Sequence, residues 1–134
     1  MTISVLIVDD SSLVRRLIRN ILETNHIIEI IGEVQNGQEA LIFLQSHQPD
    51  VILLDIEMPV MDGLTFLRYA RLRSKSKIII LSSVGTLGSE QSLQAYKMGA
   101  DAVISKPSGV ISLDLQEKRA STLMNVINHH FSLS

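Results

Sequence analysis

Apolar residues in this chain fall into short unbroken runs separated by stretches with helical spacing. Four runs occupy residues 5–8, 51–54, 78–81 and 102–104. Runs of this length, closed by polar or turn residues, are typical of strands buried on both faces of a sheet. Residues 27–34 are rich in β-branched side chains but are interrupted by Glu29 and Glu33, which predicts a strand at the edge of the sheet.

The intervals between the runs carry the periodicity of helices. Ser11 and Ser12 are suitable N-caps for a first helix. The apolar side of this helix is predicted to carry Leu13, Leu17, Ile18, Ile21 and Leu22. The same spacing places Arg15, Arg16 and Arg19 on its outer side. Further helices are predicted from Asn36-Gly37 to near Pro49, around 64–70, from Ser89 to Gly99 and over 114–131. The fivefold alternation of strand and helix predicts a parallel sheet with helices on both faces.

Four of the five predicted strands are followed by a chemically useful side chain. These are Asp9 and Asp10 after the first strand, Asp55 after the third, Ser82 after the fourth and Lys106 after the fifth. Because the carboxyl ends of parallel strands share one edge of the sheet, we expect these groups to converge on one cleft. Acids held together need a cation or raised pKa values, and oxygen-only ligation with open positions suits Mg²⁺. A carboxylate beside Mg²⁺, a hydroxyl and an ammonium predicts a site for a transferable phosphoryl group, with an aspartate as the nucleophile.

Composition narrows the class of protein. A chain of 134 residues has room for one domain with one core, and a net charge of −2 provides no basic field for nucleic acid. The absence of cysteine excludes disulfides, thiolate catalysis and cysteine-ligated metals. No apolar run approaches the roughly 18 residues of a membrane span, and the N-terminus lacks the basic start of a signal peptide. A cytoplasmic domain without membrane contact is therefore expected.

The polar residues at the strand ends carry a resemblance. Asp9-Asp10, Asp55, Ser82 and Lys106-Pro107 stand as they do in the bacterial two-component response-regulator receiver domain, and the resemblance covers about residues 3–130. The variant Glu57-Met58-Pro59 is most similar to the receiver of chemotaxis protein-glutamate methylesterases. The resemblance implies a flavodoxin-like (βα)5 doubly wound parallel sheet with strand order 2-1-3-4-5. It also implies a single receiver domain over residues 1–134, with a core at about 3–131.

The resemblance implies a metal site and a phosphoacceptor. Asp55 would accept a phosphoryl group from a histidine kinase. Asp10, Asp55 and the backbone carbonyl of Glu57 would hold Mg²⁺, and Asp9 would assist through water. Such a domain is a signalling module and not an enzyme, limited to self-phosphorylation from phosphodonors and to autodephosphorylation.

The resemblance also implies groups that respond to the phosphoryl group. Ser82 would bond a phosphoryl oxygen, Lys106 would pair with it, and the peptide bond before Pro107 would be cis, which aims the lysine into the cleft. The usual switch residue of the family is Tyr or Phe, but Val103 stands in that position. A rotamer change of an aromatic ring at this position therefore cannot report phosphorylation in this protein.

Partners and chain organisation follow from the same resemblance. An output domain or partner protein would bind the surface of the fourth and fifth strands and their helices, and dimerisation on phosphorylation stays open. A methylesterase-like protein would carry a catalytic domain after a linker, whereas this sequence ends at Ser134. It is either a stand-alone receiver or a fragment, and a complete final helix over 112–131 favours the stand-alone receiver.

Other interpretations of the same residues remain. A Mg²⁺-dependent phosphatase or phosphotransferase with an Asp nucleophile commonly has a second Asp two residues later, where this chain has Glu57. A flavin-binding module is disfavoured because Asp9 and Asp10 would repel its phosphate, and a degenerate receiver that acts only in binding is disfavoured by the intact set of acids. Taken singly, Asp9 or Asp10 could simply cap a helix, Lys106 could be a solvated loop residue, and Ser83 could take the role of Ser82.

Overall fold

The structure is a computed structural model and describes residues 2–56, 61–82, 90–106 and 113–130. Within these residues five strands alternate with five helices. They are β1 Ile3–Val8, α1 Ser12–Leu22, β2 Ile28–Val34, α2 Gly37–Leu44, β3 Val51–Asp55, α3 Gly63–Arg73, β4 Lys77–Ser82, α4 Glu90–Lys97, β5 Ala102–Ser105 and α5 Leu113–His130. None of the helices in these ranges combines the length and apolar character that crossing a membrane requires.

The five strands form one parallel sheet in the order β2-β1-β3-β4-β5. This order confirms the flavodoxin-like fold predicted above, and β2 lies at an edge as its two glutamates indicated. The central position of β3 explains its apolar run, because residues 51–54 and the following Asp55 are all buried. The carboxyl ends of all five strands lie on the same side of the sheet, where the connections to the following helices begin.

Alternate side chains of the strands pack into two separate apolar layers. On one side, residues such as Leu6, Ile52 and Leu54 pack against α2, α3 and α4. On the other side, residues such as Val5 and Leu53 pack against α1 and α5. Since both faces of the central strands are covered, the residues in the middle of these strands are all apolar: 5–8, 51–54 and 78–81.

The predicted apolar side of α1 is confirmed at Ile18, Ile21 and Leu22, but its centre lies nearer to Val14 than to Leu13. Leu13 is 59% exposed, whereas Val14, Ile18 and Leu22 pack into the core. These three residues are four positions apart and form one stripe, and Leu13 is rotated about 100° away from Val14 around the helix. The same rotation turns Arg15 toward the sheet, so the prediction that Arg15 faces outward is wrong. Its side chain is only 19% exposed.

Polar caps fix where three of the helices begin. The Ser11 side chain accepts a hydrogen bond from the Val14 amide at the start of α1. Asn36 does the same for Glu39 in α2, and Asp62 for Thr65 in α3. Each cap satisfies an amide that the helix itself leaves without a partner. The predicted roles of Ser11 and Asn36 as helix starts are confirmed.

Gly63 allows α3 to begin directly against the end of β3. Its amide donates to the carbonyl oxygen of Ile56 at 3.1 Å. A Cβ atom added at Gly63 would lie 2.6 Å from the Asp55 carbonyl oxygen and 2.7 Å from Ile56 Cα. Both of these atoms belong to the backbone and cannot move aside by a change of rotamer. The close approach therefore requires glycine and ties the position of α3 to that of Asp55.

We expect Gly63→Ala to lower the free energy of unfolding by about 1–3 kcal/mol, the usual cost of overpacking, because the β3 backbone must shift. Chemical denaturation is the measurement. Arg68→Ala, at an exposed position of the same helix, is the control and is expected to change stability by less than about 0.5 kcal/mol. Equal stability of Gly63→Ala and the unmodified protein would contradict the steric argument.

Candidate functional site

Three carboxylates meet at the carboxyl edge of the two central strands. Val8 pairs with Leu54 in the sheet, so Asp9, which follows β1, lies next to Asp55 at the end of β3. One oxygen each from Asp9, Asp10 and Asp55 lies within 4.8 Å of the others. Asp9 and Asp55 are buried and Asp10 is exposed. The predicted convergence of these acids is thus present in the structure.

Lys106 places a positive charge between the two buried carboxylates. Its ammonium nitrogen lies 3.3 Å from Asp9 Oδ2 and 3.1 Å from Asp55 Oδ2. The backbone amide of Lys106 donates to the carbonyl oxygen of Ser82 at 2.8 Å, which joins the ends of β4 and β5. Burial alone would lower the pKa of Lys106, but the charges of Asp55 and Asp9 outweigh it and the pKa is raised. The side chain is therefore a cation at neutral pH.

Asp9 is held in a site that is unfavourable for its charge. Burial raises the pKa of the Asp9 carboxyl. The amide of Ser11, 2.8 Å from Asp9 Oδ1, and the ammonium of Lys106 lower the pKa but do not cancel the effect of burial. Repulsion adds to this cost, since two unit charges 4.8 Å apart repel by about 3.5 kcal/mol at an effective dielectric constant of 20.

The donor set at this edge fits a small hard cation. Three carboxylates and one ammonium give −3 + 1 = −2 formal charges when all are ionised. Carboxylate oxygens are the ligands that Mg²⁺ prefers, and Mg²⁺ usually binds through a few of them and keeps several waters. Asp10, exposed beside two buried acids, would let such a cation reach the cluster from solvent.

Two further predicted residues lie on the neighbouring strands. Ser82 is fully buried at the end of β4 and pairs with Ser105 of β5. Val103 is partly buried and packs against the α2–α3–α4 side of the core. Glu57, Ser83 and Pro107 lie outside the described residues. The carbonyl ligand, the alternative hydroxyl and the cis peptide bond therefore stay predictions.

The sequence analysis missed two contacts at this edge. The hydroxyl of Tyr96, in α4, accepts a hydrogen bond from the Val103 amide at 3.1 Å. Arg15 donates from Nη1 to the carbonyl oxygen of Asp9 at 2.6 Å. Neither contact is predicted by the sequence: Tyr96 lies inside the helix predicted from Ser89 to Gly99, and Arg15 is predicted to face outward. The sequence offers one signal for the Arg15 contact. Arg15 comes four residues after the helix cap Ser11, so it lies in the first turns of α1, close to the end of β1.

Comparison with known proteins defines the family. The model of the response regulator receiver domain matches residues 5–115. The chain belongs to the response regulator receiver domain family. It is thus a receiver domain of the response-regulator type, as the resemblance at the strand ends implied.

Relatives of this receiver domain include protein-glutamate methylesterases. It is 46% identical over 111 residues to a protein-glutamate methylesterase/protein-glutamine glutaminase of Syntrophomonas wolfei, a match that covers 83% of this chain and 32% of the relative. The chain thus spans about a third of the length of the curated relatives it matches.

Solved structures show the same fold. The response regulator domain of Thermotoga maritima CheB has a TM-score of 0.83 and 30% identity, with 96% of each chain covered. A chain in the complex of the P1 domain of CheA3 with CheY6 from R. sphaeroides has a TM-score of 0.75 and 41% identity, with 93% of this chain and 96% of that chain covered.

The raised pKa of Asp9 leads to a prediction about stability and pH. The folded protein binds a proton on Asp9 more readily than the unfolded chain does, so the contribution of this group is favourable at acid pH and is lost as pH rises through the pKa of the folded state. We therefore expect Asp9→Asn to raise the melting temperature at pH 7 without Mg²⁺. The gain should shrink as the pH is lowered toward about 4.

Thermal denaturation followed by circular dichroism over this pH range is the measurement. Glu29→Gln, which removes an exposed acid from β2, is the control for a change in net charge. A lower melting temperature of Asp9→Asn at pH 7 would mean that the attraction to Lys106 exceeds the cost of burial.

Proposed function

We propose that this receiver domain is a switch in which Asp55 accepts a phosphoryl group from a histidine kinase. The observation that carries the proposal is the environment of Asp55. A buried strand holds its carboxylate rigidly, Lys106 lies 3.1 Å away, and two further acids lie within reach of one shared cation. A nucleophile, a fixed positive charge and a cation site are the components that phosphoryl transfer requires.

The transfer step exchanges one bond to phosphorus for another. A carboxylate oxygen of Asp55 attacks the phosphorus atom of a phosphohistidine, a P–O bond forms, and the P–N bond breaks. The imidazole nitrogen keeps the electron pair of that bond and takes up a proton, and Asp55 becomes an acyl phosphate. A bound Mg²⁺, held by Asp10, Asp55 and the backbone carbonyl of Glu57 with Asp9 assisting through water, would supply positive charge to the phosphoryl oxygens.

Lys106 links phosphorylation to the surface of the protein. An acyl phosphate moves the negative charge of Asp55 outward onto the phosphoryl oxygens, and the Lys106 ammonium follows it. Ser82 would bond another of these oxygens. Because the Lys106 amide is bonded to the Ser82 carbonyl, the ends of β4 and β5 move together. A complete change between two states needs about 5.5 kcal/mol of differential stabilisation, and charge-assisted hydrogen bonds at a partly buried site are of the required strength.

The relatives indicate the kind of partner on each side of this switch. A similar chain was crystallised with the P1 domain of CheA3, which supports a phosphodonor domain as the upstream partner. The match covers only 32% of the methylesterase relative, which supports an output domain as the downstream partner. The bond that joins the ends of β4 and β5 makes their side of the receiver the surface through which we expect control. We propose that the described residues form one receiver domain. Residues 5–115 match the family, and α5 belongs to the same domain because its side chains complete the second apolar layer.

We expect incubation with acetyl phosphate and Mg²⁺ to add the mass of one phosphoryl group, measured by intact-protein mass spectrometry. The adduct should be absent without Mg²⁺ and in Asp55→Asn, because the nucleophile is lost. Glu29→Gln should be labelled like the unmodified protein. Labelling of Asp55→Asn at the normal level would exclude Asp55 as the acceptor, and catalytic turnover of a small phosphomonoester would favour the phosphatase alternative.

Lys106→Ala is expected to separate phosphorylation from its conformational effect. The three acids remain, so Mg²⁺ binding and labelling persist, but no ammonium can follow the charge. Hydrogen exchange of the β4 and β5 amides, measured with and without acetyl phosphate, should change in the unmodified protein and not in the variant. If the same change occurred in Lys106→Ala, the role assigned to this lysine would be wrong.

A further inference from the structure

A guanidinium group holds the backbone that carries two of the three acids. Arg15 Nη1 donates a 2.6 Å hydrogen bond to the carbonyl oxygen of Asp9. This oxygen belongs to the peptide group that joins Asp9 to Asp10. Because a peptide group is planar, a fixed carbonyl oxygen also fixes the amide of Asp10 and the direction in which its Cα leaves the plane. The contact therefore acts on the geometry of both residues.

Other contacts hold the Asp9 side of this peptide. The Asp9 amide donates to the Val34 carbonyl oxygen at 3.1 Å, and Asp9 Oδ1 accepts from the Ser11 amide at 2.8 Å. Within the described residues the carboxylate of Asp10 accepts no hydrogen bond, and it is exposed. The direction of the Asp10 side chain thus depends on its backbone, and Arg15 is the side chain that restrains this backbone.

Arg15 is itself held in place by a charged network between α1 and β2. Its Nε lies 3.5 Å from Glu33 Oε1. Arg19, one turn later, donates from Nε to Glu33 Oε2 at 2.7 Å and also pairs with Glu23 at 3.2 Å. Glu33 is shared by the two arginines and offsets part of the charge of Arg15. Among the described residues, Arg15 contacts the acid cluster at a backbone oxygen and not at a carboxylate, so its effect on the cluster is mainly geometric.

We propose that Arg15 is a positioning residue for the cation site, which aims the carboxylates of Asp9 and Asp10 at the cation shared with Asp55. Glu33 and Arg19 support it from outside the site. The proposal rests on the function proposed above, because the cation site gains its purpose from phosphoryl transfer. It assigns a functional role to an ion-pair network that would otherwise serve only to attach α1 to the edge of the sheet.

The test compares two arginines on the same helix. Arg15→Gln removes the contact with the Asp9 carbonyl, and Arg16→Gln removes the same charge from the adjacent, exposed position. We expect Arg15→Gln to raise the dissociation constant for Mg²⁺ about tenfold, as is common when a residue behind a metal ligand is replaced, while Arg16→Gln stays within about twofold. Isothermal titration calorimetry with Mg²⁺ alone is the measurement.

Two further variants test the geometric argument. Arg15→Lys keeps the charge but lacks the planar fork that reaches both the carbonyl oxygen and Glu33, so its dissociation constant should lie between those of the unmodified protein and Arg15→Gln. Glu33→Gln touches no acid of the site and should raise the constant in the same direction. If Arg15→Lys restored full affinity, charge would be the cause and the geometric role would be overturned.

Thermal melts without Mg²⁺ separate positioning from attachment of the helix. A folded Arg15→Gln protein with weakened Mg²⁺ binding supports the proposal. A lower melting temperature with an unchanged dissociation constant would leave Arg15 a structural tether and overturn the proposal.

The two proposals can fail separately. If the unmodified protein binds Mg²⁺ but takes no phosphoryl group, the proposed function fails while the role of Arg15 can still hold. If the unmodified protein is phosphorylated but Arg15→Gln binds Mg²⁺ as tightly as Arg16→Gln does, the proposed function holds and the role of Arg15 fails. An unmodified protein that binds no Mg²⁺ would overturn both.

Discussion

The repulsion between two buried carboxylates is the constraint on which the site depends. Asp9 and Asp55 stand at the ends of adjacent central strands, so the sheet holds their backbones side by side. Lys106 reaches both of them and compensates part of their charge. With the carboxylate of Asp10 added, the formal charge of the three acids and Lys106 together is again negative. The excess of negative charge destabilises the folded protein, and binding of a cation stabilises it.

The rest of the fold supplies the rigidity that this arrangement needs. The two central strands are covered by apolar layers on both sides, so their ends can hold charges in a strained arrangement without being displaced. Gly63 lets α3 start against the backbone of Asp55, and Arg15 holds the backbone of Asp9 from α1. The acids therefore project from a framework whose energy comes from apolar burial elsewhere in the molecule.

The sequence predicted those parts of the molecule that depend on local pattern. Unbroken runs such as 51–54 indicated buried strands, and the polar residue after each run indicated what would meet at the edge of a parallel sheet. The predicted burial of Leu13 was wrong because Leu13 and Val14 are both apolar, and only packing against the sheet decides which of them is buried. The contacts of Arg15 with Asp9 and Glu33 join segments distant in sequence, and they depend on the distance between α1 and β2, which no periodicity encodes.

The hydrogen bond between Tyr96 and Val103 has a consequence at the other end of the sheet. Among the described strands β5 has a neighbour on one side only, and the outer backbone groups of such an edge strand can pair with a strand from another chain, which is a common route to aggregation. The Tyr96 hydroxyl occupies one of these amides, and β5 is only four residues long. A short strand with a capped amide is a poor template for a sixth strand. The side of the receiver nearest its switching residues is thereby kept from growing into a larger sheet.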